Sequence, residues 1–523
     1  MTWFQAPALT LPHLVALHGK WRGARTALIE GERRLTWREF ERDTARAANG
    51  LQSLGLQSGD RVAVLMDNSL EMVVLLFGIL RFGAVAVPLN VSISDDAVAR
   101  MMEDADARAI FASQRHCRRI EELRVQSGAV ARALHVALNC PEFGHTKFPG
   151  WIEFNAWLGT QSAEWQVVVD FLQECNIIYS SGTTGNPKGI VHTHGSRMQW
   201  ATDLALALRY RGDCVTLCSL GLFSNITWVA MLCTVLVGGT MIVTSRFEAA
   251  AAVELMARER VSHGTFVPLQ LEKLLAVTDI DLHDLSSLDT FMCCGSPLAL
   301  EVKRAFPRRF NCRLIELYGL TEGLCTILAP EDFEAKTESV GKPFLGTDLC
   351  IIGDDGFAVP QGETGEIVGL SPLVMSGYHG NDAASSEATW TDGQGRRWLR
   401  TGDLGRLDAD GFLYVVDRKK DMILSGGQNI FPADIEAVMR THPQIADVAV
   451  IGVRSAQWGE TPVAVVVPTS TGIAAAQLVE WTNSQVGKQQ QIRDVVFRAD
   501  LPRNTNGKML KRELRNELTD VSY

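Results

Sequence analysis

Short apolar runs alternate with longer stretches of helical periodicity over the first four hundred residues. Arg61 to Met66 (RVAVLM) is an arginine followed by a continuous apolar run, which predicts a buried strand. Glu71 to Arg81 predicts an apolar helix and Ala84 to Pro88 the next strand. Strand, helix and strand at this spacing form a parallel βαβ unit, with the crossover helix packed on the sheet. The pattern returns at Ala109 to Ala112, Thr240 to Val243 and Asp289 to Cys293, with Ala249 to Arg260 as an accompanying helix. Cys214 to Ser245 carries no charge and is long enough to span a bilayer. Gly221, Ser224, Asn225 and the Gly238-Gly239 pair interrupt it, so it predicts a buried helix followed by a buried strand.

The pattern changes near residue 340. Asp348 to Ile352, a turn at Asp354-Asp355-Gly356, Gly365 to Val368, a turn at Asp408 to Gly411 and Phe412 to Val416 predict a β-rich subdomain. A run of charges, Asp417-Arg418-Lys419-Lys420-Asp421, follows. Beyond it the pattern resets to a helix over Ala433 to Thr441, strands over Ile445 to Val453 and Thr461 to Pro468, and a helix over Ala474 to Val486. The boundary is placed in the charge run, giving domains 1–419 and 420–523.

Composition narrows the classes. The 523 residues predict two to four compact units at roughly 100–200 residues each. Acidic residues outnumber basic ones 60 to 50, a net charge of −10, which disfavours a broad basic face for duplex nucleic acid. Eleven cysteines include no Cys-x-x-Cys pair, and no His/Cys cluster adjoins them, so free thiols in a reducing compartment, the cytoplasm, are expected. The start of the chain lacks a basic segment and is interrupted by Pro7 and Pro12, so no secretory leader is predicted. His192 and His194 have the spacing of a metal pair, but a structural role is expected for them.

One loop stands out: Tyr179-Ser180-Ser181-Gly182-Thr183-Thr184-Gly185-Asn186-Pro187-Lys188-Gly189, between apolar strands at Cys175 to Ile178 and Ile190 to His192. Its hydroxyls, glycines and lysine offer many donors to phosphate oxygens. Its spacing fails the G-x-x-x-x-G-K-[ST] template, so it is not a Walker loop.

This string resembles the signature loop of the adenylate-forming superfamily of ATP-dependent AMP-binding enzymes. Further blocks of that family follow in order: Leu317 to Glu322, Thr401-Gly402-Asp403, Asp417 to Asp421 leading into Ser425 to Ile430, and Leu501 to Asn504 through Gly507-Lys508. The resemblance implies an α/β fold: a large N-terminal domain of parallel sheets with a β-rich subdomain, and a small mobile α+β C-terminal domain. It implies ATP, Mg2+ and CoA, and a two-step reaction in which a carboxylate is joined to AMP and then passed to a thiol.

By the same resemblance Lys508 bridges the acyl carboxylate and the α-phosphate, Thr321 hydrogen-bonds the α-phosphate and Glu322 is the metal-contacting carboxylate. Ser180, Ser181, Gly182, Thr183, Thr184, Gly185 and Lys188 bind ATP phosphates. Asp403 and Arg418 hold the ribose, and Gly295, Ser296, Pro297, Tyr318 and Gly319 flank the adenine. Lys420 is the hinge about which the small domain swings, exchanging Lys508 for the Gly426-Gly427 loop. Gly426, Gly427 and Trp458 face CoA.

The Ser425 to Pro432 loop and Trp458-Gly459-Glu460 are similar to those of acid–CoA ligases, and with so short a span after Lys508 no carrier domain of usual size is expected. Two departures stand out. Gly221-Leu222-Phe223-Ser224 replaces the usual Pro-Leu-Phe-His, and Lys488 to Ile492 lacks the basic, proline-containing character of relatives. The acyl pocket is expected from Phe223 to Val229, His263 to Pro268, Cys293 to Ser296 and Gly319 to Cys325, with Phe223, Ser224 and Trp228 in the pocket. No Arg or Lys lies in these stretches, which favours an uncharged fatty or aryl tail. The expected activity is an AMP-forming acid–CoA ligase. The alternatives are an acyl-AMP ligase loading a carrier protein, a luciferase-like oxidase and a nucleotide-binding pseudoenzyme.

Overall fold

The computed structural model describes residues 9–139, 150–180, 187–426, 428–455, 457–470, 472–504 and 507–518. The chain divides into two compact units. The larger holds residues 1–333, 343–347 and 370–389; the smaller holds 334–342, 348–369 and 390–523.

The larger unit is built on two sheets. One eight-stranded sheet runs in the order Gly377–Tyr378, Lys188–Thr193, Glu174–Ser180, Val85–Pro88, Arg61–Leu65, Ala107–Ser113, Leu134–Leu138, Trp151–Glu153. Arg61–Leu65 pairs in parallel with Val85–Pro88 through Arg61↔Val85 to Val64↔Pro88, as the βαβ pattern predicts. In the other sheet Cys325–Leu328, Arg313–Gly319, Thr290–Cys294, His263–Phe266, Val215–Cys218, Thr240–Val243, Thr26–Glu30 and Arg33–Thr36 are successive neighbours. Its central pairs are parallel, so the loops that follow its strands emerge at one edge.

Two helices of almost wholly apolar sequence, Leu70–Phe82 and Asn225–Val237, lie in a single core cluster that draws on both sheets. A helix apolar on all sides is stable only when covered on all sides. The uncharged stretch from Cys214 therefore contains one strand more than its pattern predicts. Val215–Cys218 precedes the helix, and Thr240–Val243 follows it. Among the described residues no helix is long and apolar enough to cross a membrane.

The smaller unit contains the β-rich segment and the C-terminal residues. Asp348–Ile352, Gly365–Leu370, Arg397–Leu407 and Thr389–Thr391 form one sheet, with Leu413–Arg418 paired to Arg397–Leu407. In a second sheet Ile445–Ser455 and Gly459–Pro468 form a long antiparallel pair, with Pro432–Met439 packed against it. Its core is Ile423, Ile430, Ile435, Met439, Val448, Val450, Ala464 and Val466 with their neighbours.

Candidate active site

In the larger unit, the signature loop joins the antiparallel strands Glu174–Ser180 and Lys188–Thr193, whose register sets Ser180 opposite Lys188. Ser181, Gly182, Thr183, Thr184 and Gly185 lie outside the described residues. Gly377–Tyr378 adds to the same hairpin, with Tyr378 opposite Ile190. That pairing carries the Tyr378 ring to 4.7 Å from the Lys188 ammonium. The Tyr378 hydroxyl donates to Glu322 Oε1 at 3.0 Å. Burial, and next the Glu322 charge, raise the phenol far above its ordinary pKa, so it remains a donor. Tyr378 was not singled out in the sequence, where a tyrosine in Ser-Gly-Tyr-His-Gly reads as an ordinary strand residue.

Glu322 sits in the turn after Arg313–Gly319, closed by Gly323 N–H donating to Leu320 O at 3.1 Å. Met375 N–H donates to the Glu322 carbonyl at 2.7 Å, which fixes the main chain. Thr321 and Glu322 are half-buried. Gly295, Ser296 and Pro297 follow Thr290–Cys294, whose register sets Cys294 beside Leu317. The 295–297 and 318–322 segments therefore leave neighbouring parallel strands at their carboxyl ends, where open α/β sheets bind ligands. One Glu322 oxygen is oriented by Tyr378, leaving the other for a hard cation. That suits magnesium, which takes few protein carboxylates and keeps waters and phosphate oxygens.

At the expected acyl pocket, the Phe223 ring lies over Gly221, where any Cβ would come within 2.1 Å of the ring. Ser224 caps helix Asn225–Val237. Trp228 is fully buried, its indole N–H donating to Leu222 O at 2.9 Å. The pocket stretches carry no cation of their own, and the structure brings one to them from helix His194–Ala207. Arg197 is 0% exposed. Its Nε donates to Asn176 Oδ1 and its Nη1 to Asn225 Oδ1, both at 2.8 Å. Its guanidinium carbon lies 5.1 Å from the Trp228 ring centroid and 5.5 Å from that of Trp200. Nη2 has no hydrogen-bond partner among the described residues. Burial lowers the guanidinium to about 10, with no carboxylate opposing it.

His192 is buried beside this cation. Burial first and Arg197 second hold its imidazole well below its ordinary pKa, against a smaller opposing effect from the Thr321 backbone. The same helix thus contacts the pocket residues and lies within electrostatic range of the strand that abuts Thr321. His194 is lowered to about 4, chiefly by burial. No group of His, Cys, Asp and Glu able to hold a metal occurs among the described residues.

In the smaller unit, Arg397–Leu407 pairs antiparallel with Leu413–Arg418, and the register sets Asp403 opposite Arg418. Arg418 Nε lies 3.3 Å from Asp403 Oδ1, and Asp403 is only 5% exposed. Lys508 lies near this pair, half-buried in a tight loop. Its N–H donates to Asn504 Oδ1 and its carbonyl accepts from Asn504 N–H, both at 2.9 Å. Its ammonium is lowered to about 8, first by burial and then by Arg418, with Lys420 adding and Asp403 and Asp421 opposing. Lys420 is exposed, one residue beyond Lys419, whose N–H donates to Gly402 O at 2.9 Å.

Gly426 and Trp458, both assigned to CoA by resemblance, are direct neighbours: Gly426 N–H donates to Trp458 O at 2.8 Å. Gly426 has φ +57°, and a Cβ there would stand 2.9 Å from Trp458 Cε3, so this approach requires glycine. The indole remains 52% exposed. Gly427 lies outside the described residues.

Comparison with known proteins identifies the family. Residues 18–379 match the AMP-binding enzyme family and residues 434–508 its C-terminal domain. The chain is 33% identical to a feruloyl-CoA synthase of an Amycolatopsis species, over 94% of this chain and 95% of that protein. It is 32% identical to the long-chain-fatty-acid–CoA ligase FadD13 of Mycobacterium tuberculosis, over 92% and 93%. Among solved structures, the o-succinylbenzoate CoA synthetase of Bacillus subtilis with its acyl-adenylate intermediate superposes with a TM-score of 0.84 at 27% identity, covering 98% of this chain and 99% of that one. With the two family models matched in order along the chain, the first over well more than half of it, the chain belongs to the AMP-binding enzyme family.

Proposed function

We propose that this protein is an AMP-forming carboxylic acid–CoA ligase acting on a fatty or aryl acid in the cytoplasm. The observation that carries the reading is the cluster of Lys508, Asp403 and Arg418, in which a half-buried ammonium with a lowered pKa lies near a register-fixed carboxylate–guanidinium pair. A cation withdrawn from water in this way is suited to an anion that arrives with substrate.

In the first step a carboxylate oxygen attacks the α-phosphorus of ATP, the bond to the β-phosphate oxygen breaks and pyrophosphate leaves. Lys508 neutralises the approaching carboxylate and the α-phosphate, and Thr321 donates to the α-phosphate. Ser180 to Gly185 and Lys188 hold the outgoing phosphates, Asp403 and Arg418 the ribose, and Gly295 to Pro297 with Tyr318 and Gly319 the adenine. Magnesium, held by Glu322 when bound, offsets phosphate charge. In the second step the CoA sulfur attacks the acyl carbonyl and AMP leaves. We assign CoA to Gly426, Gly427 and Trp458, and place the pivot between domains 1–419 and 420–523 at Lys420.

The test incubates the protein with ATP, magnesium and a panel of straight-chain, aromatic and hydroxy acids. Expected are pyrophosphate and AMP release, with thioester formed on free CoA and not on purified acyl carrier protein. Absence of pyrophosphate–ATP exchange with every acid would overturn the reading.

A further inference from the structure

A buried guanidinium with no carboxylate beside it has lost its hydration without an ionic partner in exchange. Arg197 is in that position, and what it does have is informative. Arginine only donates, so each side chain it bonds must present an oxygen. Asn225 therefore turns Oδ1 toward Arg197, and its NH2 group faces the other way. Asn225 is half-buried and opens helix Asn225–Val237 directly after Ser224. Its NH2 makes no hydrogen bond among the described residues, whereas the aromatic wall of Trp228 and Trp200 immobilises the guanidinium behind it. The result is a fixed pair of donors at a helix N-terminus, backed by a full positive charge and set among the residues expected to form the acyl pocket.

We infer that Asn225, oriented and polarised by Arg197, is a specificity-determining residue that receives a second oxygen acceptor, a carboxylate or carbonyl, on the tail of the acid substrate. The inference rests on the ligase reading and deepens it. Asn225 would touch the substrate, and Arg197 acts through it as a positioning residue that also supplies the counter-charge. A plain hydrocarbon tail would leave these donors desolvated and unpaired, which a site built to hydrogen-bond penalises more heavily than a missing methylene.

The experiment measures pyrophosphate release for ladders of acids matched in length: plain monocarboxylic, oxo and dicarboxylic. At the best length, kcat/KM for the oxo or dicarboxylic acid should exceed that of the plain acid by about 10- to 100-fold. Asn225→Leu should bring that ratio to within about threefold of one, consistent with loss of a single polar contact. Asn225→Asp keeps an oxygen on Arg197 and replaces the donor by an acceptor, so it should reverse the preference, a response that a merely structural residue would not give. Arg197→Met should lower the ratio as Asn225→Leu does, with folding checked by thermal melting. Equal or better use of plain acids by the parent, or a ratio unmoved in both Asn225 variants, would overturn the inference while leaving the ligase reading intact. No pyrophosphate with any acid would overturn the ligase reading and this inference with it.

Discussion

Arg197 and Lys508 are both cations withdrawn from water, and their surroundings differ in kind. Lys508 stands in a loop of the smaller unit, with Asp403 and Asp421 near enough to raise its pKa against burial and against two other cations. Arg197 lies in the larger unit on a helix, held by two amide oxygens and two indole rings, with no carboxylate to offset it. A lysine tuned to about 8 titrates close to physiological pH, whereas an arginine at about 10 keeps its charge. One site is adjustable and the other is fixed. Chemistry that needs a charge to come and go can use the first, and recognition that needs a constant field can use the second.

The sharpest way to break this comparison is to remove each cation in turn. Lys508→Ala should slow pyrophosphate release by about 10³-fold, in the range for loss of a preorganised electrostatic group. It should spare thioester formation from supplied acyl adenylate, so equal loss of both steps would remove Lys508 from its assigned role. For Arg197 the parallel test is one of stability. Asn176→Leu strands the buried Nε and should cost about 3 kcal/mol in urea unfolding. Adding Arg197→Met should recover most of that loss, because a buried charge without its partner costs more than an apolar replacement of both. A double variant no more stable than Asn176→Leu would show that Arg197 is better compensated than its contacts indicate.

The pH responses should separate as well. In ligand-free protein the Lys508 ammonium is lost as pH rises through about 8, and the reacting form is the protonated one. The kcat/KM for pyrophosphate release should therefore bend downward there and fall about tenfold per further pH unit. The preference among acid tails, governed by a guanidinium lowered only to about 10, should stay level up to pH 9. The smallest effect is expected at Trp458, where Ala should raise the KM for CoA about three- to tenfold and leave pyrophosphate release unchanged, as befits one exposed aromatic contact.

Much of the fold was legible because hydrophobic period and strand length agree. Arg61–Leu65, Leu70–Phe82 and Val85–Pro88 fall within two residues of the pattern that predicts them, and Thr240–Val243 coincides with it. The strand Val215–Cys218 was hidden because three apolar residues and one threonine, shortly before a long apolar helix, carry no periodic signature of their own. In the site, residues inside contiguous blocks could be named from those blocks, and the Asp403–Arg418 and Gly426–Trp458 pairings bring some of them together. Arg197 and Tyr378 could not be named, because their partners lie 28 and 56 residues away. A clue did exist for Arg197. It shares a helical face with His194, Trp200, Ala201 and Leu204, all buried, so its position on the wheel already marked it as interior.

The cysteines give the larger unit a built-in clock. Cys293, Cys294 and Cys325 are buried at strand ends around the segments assigned to adenine and the acyl group, and burial raises each thiol above its ordinary pKa. Alkylation there at neutral pH has to wait for the strand ends to open, because only the exposed thiolate reacts. The labelling rate, followed by mass spectrometry with and without nucleotide, would time the breathing of the floor beneath the reaction without altering a single atom of the protein.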